Sequence, residues 1–193
     1  RKSTMMKQLL STPLFFIGPR ASGKTSVAKA LGHHLGLDAR CVLDTDQLVV
    51  DRAGMSIAEM VDRDGWDQFR QAEHEALAEA CSRPAPVLVS TGGGIVLRED
   101  NRALMRTNGT VVYLQCAVET LAERLRQDPN AAQRPALTGL TLEQEVKAVL
   151  EARAPLYASC AHYRVDGGLS LPEVVAELET TLSLPLLEDE PLS

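Results

Sequence analysis

An eight-residue run, Gly18-Pro19-Arg20-Ala21-Ser22-Gly23-Lys24-Thr25, limits the possible folds more than any other part of this chain. It fits GxxxxGK[ST], and its flanks are the ones that pattern requires. Pro13 precedes the apolar stretch Leu14-Phe15-Phe16-Ile17, which reads as a buried strand. Lys24 to Leu35 then has helical spacing, with Val27, Leu31 and Leu35 on one face. A strand that turns through small residues into a helix makes a phosphate cradle. Backbone N–H groups can point inward around anionic oxygens. The helix presents its positive end to the same oxygens. Lys24 adds a full charge near the β- and γ-phosphates, and the Thr25 hydroxyl is placed to ligate Mg²⁺.

The rest of the chain continues the alternation. Short strands are expected at Cys41 to Leu43, Val87 to Val89, Thr110 to Leu114 and Tyr163 to Val165. Helical patterns lie at Ser56 to Arg63, Trp66 to Cys81, Arg98 to Thr107, Val118 to Gln127, Thr141 to Ala152 and Leu171 to Leu182. Strands without internal alternation, separated by helices, predict an α/β fold. Its five-stranded parallel sheet would be covered on both faces. Ligands then bind beyond the carboxyl ends of the strands. The 193 residues suit one domain. Within it we expect an N-terminal extension over 1–12, a helical substrate-binding insert over 45–82, a mobile lid over 126–140 and a flexible tail over 184–193. Arg1 to Leu10 lacks the apolar core of a secretory signal, and Met5-Met6 could mark a natural start.

A net charge of −6 makes nucleic acid and anionic membrane poor partners. No apolar run approaches the roughly 20 residues of a membrane span. A cytoplasmic monomer is the expectation. Cys41, Cys81, Cys116 and Cys160 are widely spaced and read as buried structural thiols. His33, His34, His74 and His162 show no metal-binding spacing.

Asp44-Thr45-Asp46 ends the second strand, so two carboxylates should face the phosphate loop across adjacent strand ends. Asp44 could hold Mg²⁺ through its water shell. Asp46 could accept a proton from a substrate hydroxyl as phosphate transfers. The competing reading is a strand-end turn with a capping aspartate. Arg70 and Glu73 share a helix face, as do Arg153 and Tyr157. Each arginine could be a fixed anchor for a substrate carboxylate or part of an ordinary exposed pair. Thr91-Gly92-Gly93-Gly94 suggests close approach by a ligand, or a sharp turn. Arg134 could swing over the transferring phosphates and neutralise charge.

Together these residues resemble the ordered signature of the shikimate kinase family. The set comprises Gly18-Pro19-Arg20…Gly23-Lys24-Thr25, Asp44-Thr45-Asp46, Phe69-Arg70…Glu73, Thr91-Gly92-Gly93-Gly94, Arg134-Pro135 and Arg153…Leu156-Tyr157. Asn108 to Leu114 and the Arg-Pro-x-Leu-Thr-Gly loop are similar to its second enteric-type isozyme. The resemblance spans about residues 13 to 183. It implies a P-loop fold of the nucleoside-monophosphate-kinase kind and phosphorylation of shikimate by ATP, giving 3-phosphoshikimate on the route to chorismate. It implies ATP contacts from Ala21, Ser22, Gly23, Lys24, Thr25, Ser26 and Arg134, and Mg²⁺ held by Thr25 and Asp44. Shikimate would meet Asp46, Arg70, Gly93 and Arg153, with Lys24, Asp46 and Arg134 carrying the catalysis.

Two departures stand out. Ala21 replaces the usual glycine, which could weaken ATP binding if that position needs a positive φ. The segment before Asp44 also looks a few residues longer than usual. Rival readings are another small-molecule P-loop kinase, such as a gluconate or nucleoside-monophosphate kinase, and a non-catalytic nucleotide switch.

Overall fold

The structure is a computed structural model that describes residues 10–128 and 140–182. Five strands form one parallel sheet: β1 Leu14–Ile17, β2 Val42–Asp44, β3 Leu88–Ser90, β4 Thr110–Gln115 and β5 Tyr163–Asp166, in spatial order β2-β3-β1-β4-β5. Eight α-helices are described: α1 Lys24–His34, α2 Thr45–Ala53, α3 Ile57–Asp64, α4 Trp66–Ser82, α5 Glu99–Asn108, α6 Val118–Gln127, α7 Leu142–Cys160 and α8 Leu171–Thr181.

Strand side chains alternate between two cores. Leu14 and Phe16 pack with Leu88, Val112 and Leu114 against α1 and α8, through Val27, Leu31, Val174 and Leu178. Phe15 and Ile17 face the other way, with Val89, Val111 and Tyr113, against α4, α5 and α7 through Leu77, Met105 and Tyr157. Both faces are therefore buried, which explains why the strands read as unbroken apolar runs. Truncating Phe16, which has no exposure, to alanine would cost about 3–5 kcal/mol.

Residues 45–82 form three helices, α2 to α4, around a small core of Val49, Met60, Phe69 and Ala76. The sequence reading missed α2. Asp44 caps that helix, its Oδ1 accepting from the Asp46 and Gln47 N–H groups at 2.9 and 3.3 Å. Helix α7 is longer than expected and runs on through Pro155 to Cys160. Proline interrupts the hydrogen bonding of a helix, but here Tyr157 and Cys160 are buried beyond it and hold the last turns in place. Cys116 and Cys160 are buried as expected, whereas Cys41 and Cys81 are only half-buried. No described helix is long and apolar enough to cross a membrane.

All five strands run the same way, so their carboxyl ends share one edge. Asp44 is in register with Ser90, and Ser90 with Phe16. That brings the β1–α1 turn, the start of α2 and the glycines after β3 to one level.

Candidate active site

The β1–α1 turn is tightly wound. Gly18 has φ 149°, Ala21 67° and Gly23 95°, so Ala21 carries a left-handed conformation with a side chain attached. Lys24, which is nearly buried, donates from Nζ to the carbonyls of Gly18 at 2.7 Å and Pro19 at 2.8 Å. Its ammonium is thus held inside the loop it belongs to. A cleft of about 440 Å³ opens beside it, lined by Arg20, Lys24, Thr25, Asp44, Asp46 and Gly93 among others.

The Thr25 hydroxyl donates to Asp44 Oδ2 at 2.8 Å and lies 2.9 Å from Ser90 Oγ. One Asp44 oxygen therefore caps α2 while the other faces Thr25. The capping and functional readings of Asp44 describe the two halves of one carboxylate. β2 is not adjacent to β1, contrary to the expectation from sequence. β3 lies between them, and Ser90 fills the gap. A hydroxyl and a carboxylate, both hard oxygen donors, could hold Mg²⁺ beside the phosphate cradle.

The three glycines after β3 have a reason the sequence did not suggest. A Cβ on Gly92 would lie 2.6 Å from Glu73 Oε2 and 2.7 Å from Asp46 Oδ1. One on Gly94 would sit 2.3 Å from Arg70 Nη1. Gly92 and Gly94 make room for the protein's own charged side chains. Gly93 lines the cleft. A Cβ there would approach the Arg20 backbone nitrogen at 3.4 Å and Arg153 Nη1 at 3.6 Å. The phosphate loop and the α7 arginine therefore meet over one residue.

Arg70 donates to Glu73 Oε1 at 2.9 Å, with 18% of the arginine side chain and 1% of the glutamate's exposed. The exposed-pair reading is thereby ruled out. The guanidinium also lies 5.4 Å from the Trp66 ring centre and 5.1 Å from that of Phe69, a stack that limits its freedom. Burial pushes the Glu73 carboxyl above its ordinary range. Arg70 opposes that shift, Asp46 adds to it, and Arg153 opposes it more weakly. Tyr157 has no exposed surface. Its hydroxyl donates to the Gly93 carbonyl at 2.5 Å, and its ring stacks on Tyr113 at 5.1 Å.

A model of the shikimate kinase family matches residues 20–183. The chain belongs to the shikimate kinase family. It is an ATP-dependent kinase whose acceptor is a hydroxyl of shikimate. The shikimate kinase of Nitratidesulfovibrio vulgaris is 45% identical over 170 residues, covering 88% of this chain and 95% of that protein. Shikimate kinase 2 of Dickeya chrysanthemi is 44% identical over 176 residues, covering 91% and 99%. Among solved structures, a shikimate kinase from Acinetobacter baumannii in complex with shikimate superposes with a TM-score of 0.81 at 29% identity, covering 93% of this chain and 97% of that one. A gluconokinase from Sinorhizobium meliloti reaches 0.54 at 17% identity, a likeness of fold alone.

Within this shikimate kinase family member, the residues expected from sequence fall as follows. Lys24, Thr25, Ser26, Asp44, Asp46 and Gly93 line one cleft, with Ala21 and Gly23. Arg70 and Arg153 abut the glycines at its edge. The Ser22 side chain is fully buried and turned toward Gly18, so a ligand would meet its backbone. Arg134 lies outside the described residues. Sequence reasoning missed Arg124 on α6. It donates to the Ala21 carbonyl at 2.9 Å and the Gly167 carbonyl at 2.8 Å, clamping the phosphate loop to the β5–α8 turn. Nothing in the run Glu123-Arg124-Leu125-Arg126 distinguishes it from a solvated helix face.

Proposed function

We propose that this cleft moves the γ-phosphoryl group of ATP to the 3-hydroxyl of shikimate, with the acceptor carboxylate held by Arg70 and Arg153. The observation that carries this reading is the meeting of Arg153 and Arg20 over Gly93. A guanidinium that close to the β1–α1 turn supports an anionic acceptor lying beside the phosphates. The Arg70 guanidinium is already oriented by Glu73 and two rings, so little freedom is lost when it grips a carboxylate.

In this reading the backbone N–H groups of Ala21 to Ser26 wrap the phosphates. Lys24 exchanges its loop carbonyls for phosphate oxygens and follows the transferring group. Asp46 accepts the hydrogen bond of the reacting hydroxyl and takes its proton as the new P–O bond forms and the bond to ADP breaks. Thr25 and Asp44 would hold Mg²⁺, which would supply positive charge to offset that of the phosphates. Arg134 is assigned to the ATP side. The enzyme would act as a cytoplasmic monomer.

A coupled assay for ADP release tests the reading with shikimate, gluconate and nucleoside monophosphates as acceptors. Turnover with shikimate alone is expected. Comparable turnover with gluconate, or none with any acceptor, would overturn it.

A further inference from the structure

We infer that Tyr157 is a positioning residue for the acceptor subsite, acting through Gly93 and Arg153. The inference rests on the reading that those two residues hold shikimate. Its basis is the hold that one buried side chain has on the glycine turn after β3. The peptide between Gly93 and Gly94 joins two residues without side chains, so it can rotate between orientations at little steric cost. The buried Tyr157 hydroxyl donates to the Gly93 carbonyl at 2.5 Å. In a trans peptide the carbonyl and the following N–H point in opposite directions. Drawing the Gly93 oxygen toward the core therefore turns the Gly94 N–H away from the phenol. This hydrogen bond joins those from the Ile95 N–H to the Gly92 carbonyl and from the Leu97 N–H to the Gly94 carbonyl, both 3.1 Å, in fixing the orientation of Gly93, which lines the cleft.

The same side chain sits one helical turn from Arg153 on α7. Burial pushes the phenol up to about 12, against the opposing pull of the nearby Arg153 charge. It therefore remains a neutral donor throughout the working range. Tyr113 stacks on the ring from β4, so the sheet fixes the position of the phenol. A path of contacts thus runs from the sheet through Tyr157 to both acceptor contacts, and it meets the phosphate loop only at Gly93, beside the Arg20 backbone nitrogen.

Tyr157→Phe removes the hydroxyl and keeps the ring. Steady-state kinetics below the melting temperature should give a shikimate KM raised about tenfold, as expected for one buried carbonyl left without its donor. The ATP KM should stay within about twofold and kcat within about threefold. Thermal unfolding and ATP titration check that the variant is folded. In an Arg153→Gln background, where the carboxylate grip is already lost, Tyr157→Phe should add less than about twofold. An unchanged shikimate KM, an equal rise for both substrates, or full additivity in the double variant would overturn the inference. Arg153→Gln alone separates the two claims. If it leaves the shikimate KM unchanged, the acceptor reading itself fails. If it raises that KM and Tyr157→Phe does not, only the role of Tyr157 fails.

Discussion

Replacing Ala21 with glycine should stabilise this enzyme without tightening its hold on ATP. Ala21 is the one non-glycine residue with a positive φ among the described residues, at 67°. A side chain in that region costs about 1–2 kcal/mol. Glycine removes the cost but gives the unfolded chain more freedom, which offsets about 0.4–1 kcal/mol. The net gain is about 0.5–1 kcal/mol, or a rise in Tm of about 2 °C for a chain of this size. The angle is held from within the protein. Arg124 binds the Ala21 carbonyl, Ser22 N–H reaches the Pro19 carbonyl at 3.2 Å, and Lys24 grips Gly18 and Pro19. The strain is thus a cost of folding, not of binding. The position does take the positive φ under which weaker ATP binding was expected from sequence, and the prediction here is that its cost falls on folding instead. Differential scanning calorimetry on both proteins, paired with calorimetric titration of ATP, measures both quantities. A drop in Tm, or tenfold tighter ATP binding, would refute the reasoning.

Further predictions concern the acceptor side. Asp46→Asn should lower kcat by about 10²–10⁴-fold, the usual worth of a general base, with the ATP Kd within about twofold by titration. Arg70→Met should raise the shikimate KM by about a hundredfold, since it removes charge-assisted hydrogen bonds, and should leave the ATP KM unmoved. Glu73 gives a pH test. Its folded pKa is raised by burial, so the native state holds the proton more tightly than the unfolded chain does. Its contribution to stability is then fully present below the ordinary glutamate pKa and is lost as pH rises through the folded value. Urea melts of wild type and Glu73→Gln should therefore diverge upward from about pH 4.5, with wild type losing stability relative to the variant. A constant difference across that window would count against the assignment.

Much of the architecture was legible because it rests on local chemistry. The apolar run before Gly18, the Lys24-Thr25 helix start and the five strand positions follow from burial and turn residues that each segment carries itself. What escaped notice depends on distant parts of the chain. Helix α2 begins on the capping oxygen of Asp44, which the sequence offered equally as a metal ligand. Helix α7 passes Pro155 because Tyr157 and Cys160 are buried in the sheet core, a fact no local pattern contains. The triple glycine was read as space for a ligand or a sharp turn, yet two of the three accommodate Arg70, Glu73 and Asp46. Arg124 and Tyr157 act through backbone carbonyls far away in sequence, and such partners appear only when the chain is folded. The charged pairs were legible as pairs, but the burial that fixes the Arg70 guanidinium on Glu73 was not.

The proposed function needs the β1–α1 turn to hold the phosphates while Arg70 and Arg153, at the edge of the same cleft, hold the acceptor. A crystal structure with ADP, Mg²⁺ and shikimate tests it most directly. The account predicts the shikimate carboxylate between Arg70 and Arg153, a ring hydroxyl against Asp46, and the ADP phosphates in the Gly18 to Thr25 turn. A shikimate carboxylate bound away from both arginines, or ADP bound outside that turn, would contradict it.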